Sequence, residues 1–357
     1  MDAIRLVSDR ADINSVGMTS MNDQIALAET PLAPRVPTDT HDFAPYVRIL
    51  GRGPGKSRSL TRAEARHALG MVLRGEATRE QIGAMLMLLR YRGEAPEEMA
   101  GLVEAARDHS GLPWKFSAPV DLDWPSYADG RTRGLPWYLL SALLLAKSAR
   151  RVVMHGPVSG PGRQSLVKCL ALLGIGHAQN NAEAEASLVA TNFAFVPTEA
   201  ANPELAELLA LRGVLGLRSP LNTVGRLLDP AGARASIDGV FHPAYIELHL
   251  AVAALLGHSV AVLKGGGGEA EWSGVKSLIL ATSAGEKIWP SLGTDGKPAS
   301  VAPADLVAVW RGESSDPAGE DAVVATAAAA LHAITLADAS LCIAEARALW
   351  AGRNAGG

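Results

Sequence analysis

A chain of 357 residues that is 48% hydrophobic, 20% charged and only 5% aromatic has ample length for a buried core, in one large domain or two moderate ones. No run approaches the ~18 apolar residues of a membrane span, since the longest, Trp137 to Ala146, stops at Lys147. The formal charge of −4 argues against a generic polyanion binder, yet it hides a split. Residues 47–168 hold 19 Lys and Arg against 11 Asp and Glu, a net +8, while the rest of the chain carries −12. That asymmetry keeps a polyanionic partner in view, against the plainer reading of a solvated basic surface.

Residues 1–42 mix Asp, Thr, Pro and Ala without a sustained period and read as a mobile leader, within which Met18 or Met21 are alternative starts. The leader has no apolar signal core, so the expected location is the cytoplasm, with no membrane contact. The two cysteines, Cys169 and Cys342, lie far apart in apolar helical contexts and read as buried free thiols in a reducing compartment.

Residues 43–112 predict a small helical domain. Thr61 with Glu64 and Thr78 with Gln81 have capping-box spacing, and Pro96 opens a third helix. Ala68, Leu69, Val72 and Leu73 share one stripe, and Ile82, Met85, Leu86, Leu88 and Leu89 another. The cluster Met71, Met85, Met87 and Met99 reads as core filler.

From 113 to about 350 the pattern changes to strand-helix alternation. Runs at Arg151–Met154, Ser187–Ala190 and Val260–Leu263 read as strands; Trp137–Lys147, Ser165–Leu173, Tyr245–Leu256 and Val323–Ile334 read as helices. The expected architecture is a large α/β domain with a mainly parallel sheet covered by helices. A helical stretch, Pro203 to Leu228, interrupts it, and 351–357 is a tail.

Ligand sites in such folds sit in loops after strands. Val120–Tyr138 packs two arginines and four aromatics into what reads as a loop, offering Trp124 and Tyr127 to bases and Arg131 and Arg133 to phosphates. His155–Arg163 offers His155, Gly156 and an arginine near a helix start. Lys264–Glu271 has four consecutive glycines, which suggests an accessible backbone, and Glu269 and Glu271 as metal candidates. Arg212, Arg218 and Asn222 form a third polar group. No nucleophile with an adjacent base is visible, so no catalytic residue is assigned.

Taken together, the capped N-terminal helices, the His155–Gly174 segment, LALRGVLGLRSPLNTVGRLLDP and the strand-KGGGGE stretch resemble anthranilate phosphoribosyltransferase and the wider glycosyltransferase family 3, over roughly residues 45–350. The resemblance implies a nucleoside phosphorylase/phosphoribosyltransferase-like fold, in which residues near 198–230 join the helical domain. It also implies a homodimer formed through that domain, and a Mg²⁺–phosphoribosyl diphosphate site.

The family's GTGGDG loop is replaced by DWPSYADGRTR, its KHGN by MHGP, its DGLDE by Gly265–Glu271, and its middle-segment histidine by Asn202. Arg212, Arg218 and Asn222 match retained family positions. These substitutions resemble a nucleic-acid-binding (YbiB-like) branch. Under that reading the protein is a homodimer binding single-stranded nucleic acid without sequence preference and without a cofactor, through Lys56, Arg58, Trp124, Tyr127, Arg131, Arg133 and Arg163. The alternative is an active transferase on an altered acceptor, with a pocket of His155, Gly156, Arg212, Arg218, Asn222, Lys264 and Gly265, and Mg²⁺ with phosphoribosyl diphosphate on Glu269 and Glu271. A catalytically silent partner-regulating dimer is a third reading.

Overall fold

The computed structural model describes residues 41–53, 55–127, 134–160, 162–293 and 296–354. Helices α1 (Ala44–Gly51), α2 (Arg62–Leu73), α3 (Arg79–Arg92) and α4 (Pro96–His109) form the N-terminal bundle. Both expected capping boxes are made: the Thr61 side chain accepts from the Glu64 amide, and the Thr78 side chain from the Gln81 amide. Each box satisfies amides that a helix start otherwise leaves unpaired. Helices α2 and α4 press so closely that a Cβ on Gly101 would lie 2.2 Å from the Arg62 carbonyl oxygen. Arg62–Glu104 and Arg66–Asp108 ion pairs bridge the same two helices, at 2.5 and 2.6 Å. Met71, Met85 and Met99 are buried as core filler.

The remaining elements alternate. In chain order they are β1 (Leu122–Pro125), α5 (Trp137–Lys147), β2 (Val152–Gly156), α6 (Gln164–Leu172), α7 (Asn181–Thr191) and β3 (Phe193–Pro197). Four short helices follow: α8 (Thr198–Ala201), α9 (Pro203–Ala210), α10 (Arg212–Leu215) and α11 (Leu221–Arg226). The chain then forms β4 (Ala235–Val240), α12 (Ala244–Leu256), β5 (Val260–Lys264), β6 (Leu278–Thr282) and β7 (Gly285–Trp289). Helices α13 (Pro303–Arg311), α14 (Pro317–Thr335) and α15 (Ala339–Gly352) complete it. The strand order is β3-β2-β1-β4-β5-β6-β7, with β1 to β5 parallel and β6 and β7 antiparallel. Because β1 leads outward to β2 on one side while β4 leads to β5 on the other, the order reverses between β1 and β4. Open α/β sheets place ligand crevices at such a reversal, beyond the carboxyl ends of the strands.

Two apolar clusters hold these layers. One joins α5, α14 and α15 to one face of the sheet through Trp124, Trp137, Trp289 and the small residues of α14. The other begins with the bundle and continues through Leu205 and Leu209 of α9, Leu221 and Val224 of α11 and Val252 of α12. Bundle and sheet therefore belong to one unit, residues 42–357. Cys169 and Cys342 are buried free thiols, and burial pushes the Cys169 thiol up to about 12.

Three expectations about elements need correction. The opening of Val120–Tyr138 is not loop but β1, a central strand pairing with both β2 and β4. Its Pro125 is tolerated because it ends the strand. Ser187–Ala190 is helical: Asn180 caps α7 through the Glu183 amide, and the strand begins only at Phe193. A short apolar run fits either state, and here the cap decided it. Strand β4 and the β6–β7 hairpin went unread because their sequences lack a clear alternation.

Candidate functional site

Two polar centres lie beyond the carboxyl ends of the strands. The first is closed. Arg163, just before α6, is 2% exposed and donates to the Ser126 carbonyl oxygen (2.7 Å), the Ser126 hydroxyl (3.1 Å) and Glu269 Oε1 (2.8 Å). The Ser126 hydroxyl also donates to Glu269 Oε1 (3.1 Å) and bonds the Tyr138 hydroxyl (2.9 Å). Glu271 Oε2 accepts from the Tyr138 amide (3.0 Å), so a carboxylate of the chain caps the start of α5. An acid there meets both an unpaired amide and the positive end of the helix dipole.

The glycine loop is shaped to deliver these carboxylates. A Cβ on Gly265 would fall 1.6 Å from the Glu269 carbonyl oxygen, and one on Gly239 2.0 Å from the Glu269 carbonyl carbon. The amides of Gly265, Gly266, Gly268 and Glu269 are bonded within the loop or to Val240. Gly239 and Gly265 thus serve close packing, while Gly266 and Gly267 keep an exposed backbone. As arranged, Glu269 and Glu271 do not fit a divalent ion: one is paired with a guanidinium and the other caps a helix. No group of three or more potential ligands is poised for a metal among the described residues.

The second centre is open. A cavity of about 270 Å³ lies between α3, α10, α11 and the end of β4, lined by Arg90, Arg212, Arg218, Asn222, Arg226 and His249 among others. Among the described residues Glu94 is the single acid on its wall, facing four arginines. Arg226 donates to the carbonyl oxygens of Asn222 (3.1 Å) and Gly268 (3.2 Å), fastening the glycine loop to α11. Phe241, immediately after β4, is 54% exposed and packs edge-on against His242.

A buried polar chain runs beneath both centres. Thr198 bonds the Tyr127 hydroxyl (2.7 Å), which bonds His155 Nδ1 (3.1 Å); His155 Nε2 meets Asp123 (3.2 Å). The Ser236 hydroxyl donates to Asp123 (3.3 Å) and Asp238 (2.9 Å), and Asp238 holds His249 Nδ1 (2.8 Å). Burial raises the Asp123 carboxyl above its ordinary range, against the attraction of His155. Burial also raises the Tyr127 phenol, which therefore stays neutral as a hydrogen-bonding partner.

The sequence candidates fall into several places. Arg131 and Arg133 lie outside the described residues. Trp124 and Tyr127, expected to stack on bases, are 0% and 1% exposed, so neither ring offers a face. Arg163, expected on phosphate, is spent on Glu269. Arg58 is exposed but bound to Glu64, whose carboxyl it holds down at about 2, and Lys56 is exposed nearby. Of the alternative pocket, Arg212, Arg218 and Asn222 do line one cavity. His155 and Gly156 do not join them: His155 is in the buried chain, and a Cβ on Gly156 would be 2.1 Å from the Ser126 carbonyl oxygen. Lys264 and Gly265 face a separate cavity of about 720 Å³ beside β6. Sequence reasoning missed Arg90, Arg226, Phe241 and the Asp238–His249 pair. Only Arg226 carried a signal, four residues after Asn222 on one helix face.

Residues 44–110 match the helical bundle domain of the glycosyl transferase family. The chain is 32% identical over 208 residues to YbiB of Escherichia coli K12, covering 57% of this chain and 65% of that protein. It is also 32% identical over 190 residues to anthranilate phosphoribosyltransferase of Methylocella silvestris, covering 53% and 54% respectively. The chain thus spans less than two thirds of the length of these curated relatives. Among solved structures it resembles the anthranilate phosphoribosyltransferase of Thermus thermophilus, with a TM-score of 0.74, 22% identity and coverage of 88% and 96%. The Saccharomyces cerevisiae enzyme, solved with PRPP and Mg, superposes with a TM-score of 0.73 at 17% identity, over 88% of this chain and 94% of that one. At these identities the likeness to solved structures is one of fold. Residues 44–110 are therefore a helical bundle domain of the glycosyl transferase family, carried on a chain homologous to anthranilate phosphoribosyltransferases and folded like them.

Proposed function

We propose that this chain is a transferase-fold protein that no longer transfers a phosphoribosyl group and instead binds single-stranded nucleic acid through backbone charge, without reading sequence. The observation that supports this is the closed centre. The two carboxylates available for a metal are internal counter-ions, with Glu269 on Arg163 and Glu271 on the start of α5. Transfer from a diphosphate needs amides and a cation aimed at the leaving group, and the loss of one such donor already costs roughly 10²–10³ in rate.

Positive charge also lies outside that centre. Arg90, Arg212 and Arg218 line the open cleft, Lys56 is exposed, and Arg131 and Arg133 remain candidates beyond the described residues. In this reading the protein acts in the cytoplasm as a homodimer built on the helical bundle, which doubles the basic tract. Among the described residues no helix is long and apolar enough to cross a membrane.

The competing reading, an active transferase, draws on Arg212, Arg218 and Asn222 sharing one cavity. A paired titration separates the two. A labelled single-stranded oligonucleotide is expected to bind with affinity that falls steeply with salt and survives chelation, and substitution of basic contacts should lower the salt slope by ~0.7 each. Absence of salt-sensitive binding would defeat the proposal. A rise in thermal midpoint with millimolar Mg²⁺ and phosphoribosyl diphosphate would favour the transferase.

A further inference from the structure

The sequence concentrates positive charge in residues 47–168, but the fold spends much of it internally. Arg58, Arg62, Arg66 and Arg74 each meet a carboxylate of the helical bundle, at 2.6, 2.5, 2.6 and 2.8 Å. Arg150, Arg151 and Arg163 meet Glu345, Glu185 and Glu269, acids supplied by the net-negative remainder of the chain. Opposite charges this close cancel one another's field beyond a Debye length, ~8–10 Å at ordinary salt. Such pairs offer a polyanion little.

Unpaired cations gather elsewhere. Lys264 at the end of β5, Lys276 just before β6 and Lys297 beyond β7 are all exposed, and together they line the cavity of about 720 Å³ beside β6. Among the described residues no carboxylate pairs with any of the three side chains. The acid on this wall, Glu271, is 9% exposed and holds the Tyr138 amide at the start of α5.

The backbone that carries these lysines is braced. Trp272 Nε1 donates to the Lys276 carbonyl oxygen (2.7 Å), and the Trp272 amide donates to the Thr326 hydroxyl of α14 (2.9 Å). Ser291 donates to the carbonyl oxygens of Gly274 (3.0 Å) and Val275 (2.9 Å), which joins the segment before β6 to the segment after β7. On this fixed floor the lysine stems stay free to follow a flexible row of phosphates, because an ammonium makes no planar demand on its partner. Trp272, the aromatic of the wall, is 4% exposed and offers no face to a base. Contact here is with a sugar–phosphate backbone and carries no sequence.

We propose that this lysine-lined trough beside β6 is a phosphate track for single-stranded nucleic acid. The inference rests on the nucleic-acid reading and adds to it the surface that carries the strand. Lys276 and Lys297 lie outside the glycine loop, so the test is built on them.

It uses the full chain and the fluorescence anisotropy of a labelled oligothymidine over a salt series. Lys276→Gln combined with Lys297→Gln is expected to weaken binding roughly tenfold or more near ~0.1 M salt, and to lower the salt slope by ~1.4, two contacts at ~0.7 each. Lys115→Gln combined with Lys168→Gln removes the same charge from exposed positions elsewhere and should change the affinity less than about threefold. Circular dichroism and thermal midpoints matching the wild type would show both doubles folded. Equal weakening by the two doubles would mean that net charge alone governs binding, and it overturns the proposal. A strand bound as tightly by the trough double as by the wild type defeats this inference alone, whereas a wild-type chain without salt-sensitive binding defeats the nucleic-acid reading with it. Capture of phosphatidylglycerol vesicles in preference to the oligonucleotide, lost in the trough double, would assign the trough to a membrane surface and overturn the strand.

Discussion

At the carboxyl edge of the sheet, two arginine-bearing regions differ chiefly in how deeply they are buried. Arg163 is 2% exposed: Glu269 and Ser126 take up its guanidinium, and Glu271 occupies the start of α5. Arg212 and Arg218 are half-buried on a cleft that also holds the Arg90–Glu94 pair. The difference teaches that arginines at one sheet edge can be internal counter-ions in one place and cleft lining in another. Once an internal carboxylate satisfies a helix start and a buried cation, an external phosphate competes against a partner that needs no association entropy.

Substitutions can break that contrast from the closed side or the open side. The largest effect is expected at Arg163. Arg163→Ala leaves Glu269 buried without its cation and should cost roughly 3–5 kcal/mol in urea unfolding. Arg163→Met combined with Glu269→Leu should recover most of that loss, because the desolvation of both charges disappears together. A double variant as unstable as the single one would mean that the pair is not the source of the stability.

Next comes Gly265→Ala, whose Cβ would meet the Glu269 carbonyl oxygen at 1.6 Å. Overpacking there should cost roughly 1–3 kcal/mol and displace the glycine loop, read as faster amide exchange at residues 265–271. Wild-type exchange would show that the loop is not held by this approach.

Smaller still is Glu64→Gln in the bundle, which keeps the capping box, as Gln81 does in α3, and removes only the charge paired with Arg58 on the surface, so that stability should fall slightly. The Glu64 carboxyl, chiefly through its bond with Arg58, is held down at about 2 from an unfolded value near 4.5. Its contribution is therefore present above pH ~4.5 and lost as pH falls toward 2. The wild-type advantage over the variant should shrink across that window, and a gap independent of pH would reject the pairing. Smallest is Arg218→Ala on the open side, expected to stay within ~0.5 kcal/mol of wild-type stability while lowering the salt-sensitive affinity for an oligonucleotide. A stability loss matching that of Arg163→Ala would erase the distinction between the two regions.

The helical bundle was legible because its information is local. Thr61 and Glu64, or Thr78 and Gln81, are three residues apart, and a capping box operates over that distance. Strand-helix alternation made the α/β layer legible for the same reason, and the family resemblance named the fold it belongs to. Trp124 and Tyr127 were misjudged because an aromatic next to arginines looks the same whether its strand lies at a sheet edge or in its centre. Parallel pairing with β2 and β4 put Trp124 inside.

The sequence alone determined which residues start helices, which segments alternate and where the charge is concentrated, since these follow from composition and short-range spacing. Only the tertiary structure decided how the charges are spent. Arg163 and Glu269 are 106 positions apart and lie 2.8 Å from one another, while Arg90 and Arg212, from helices far apart in the chain, share a cleft. Whether an arginine is a buried counter-ion or lines a cleft depends on which distant loop folds against it. Close packing at glycines such as Gly239 and Gly265 makes that choice.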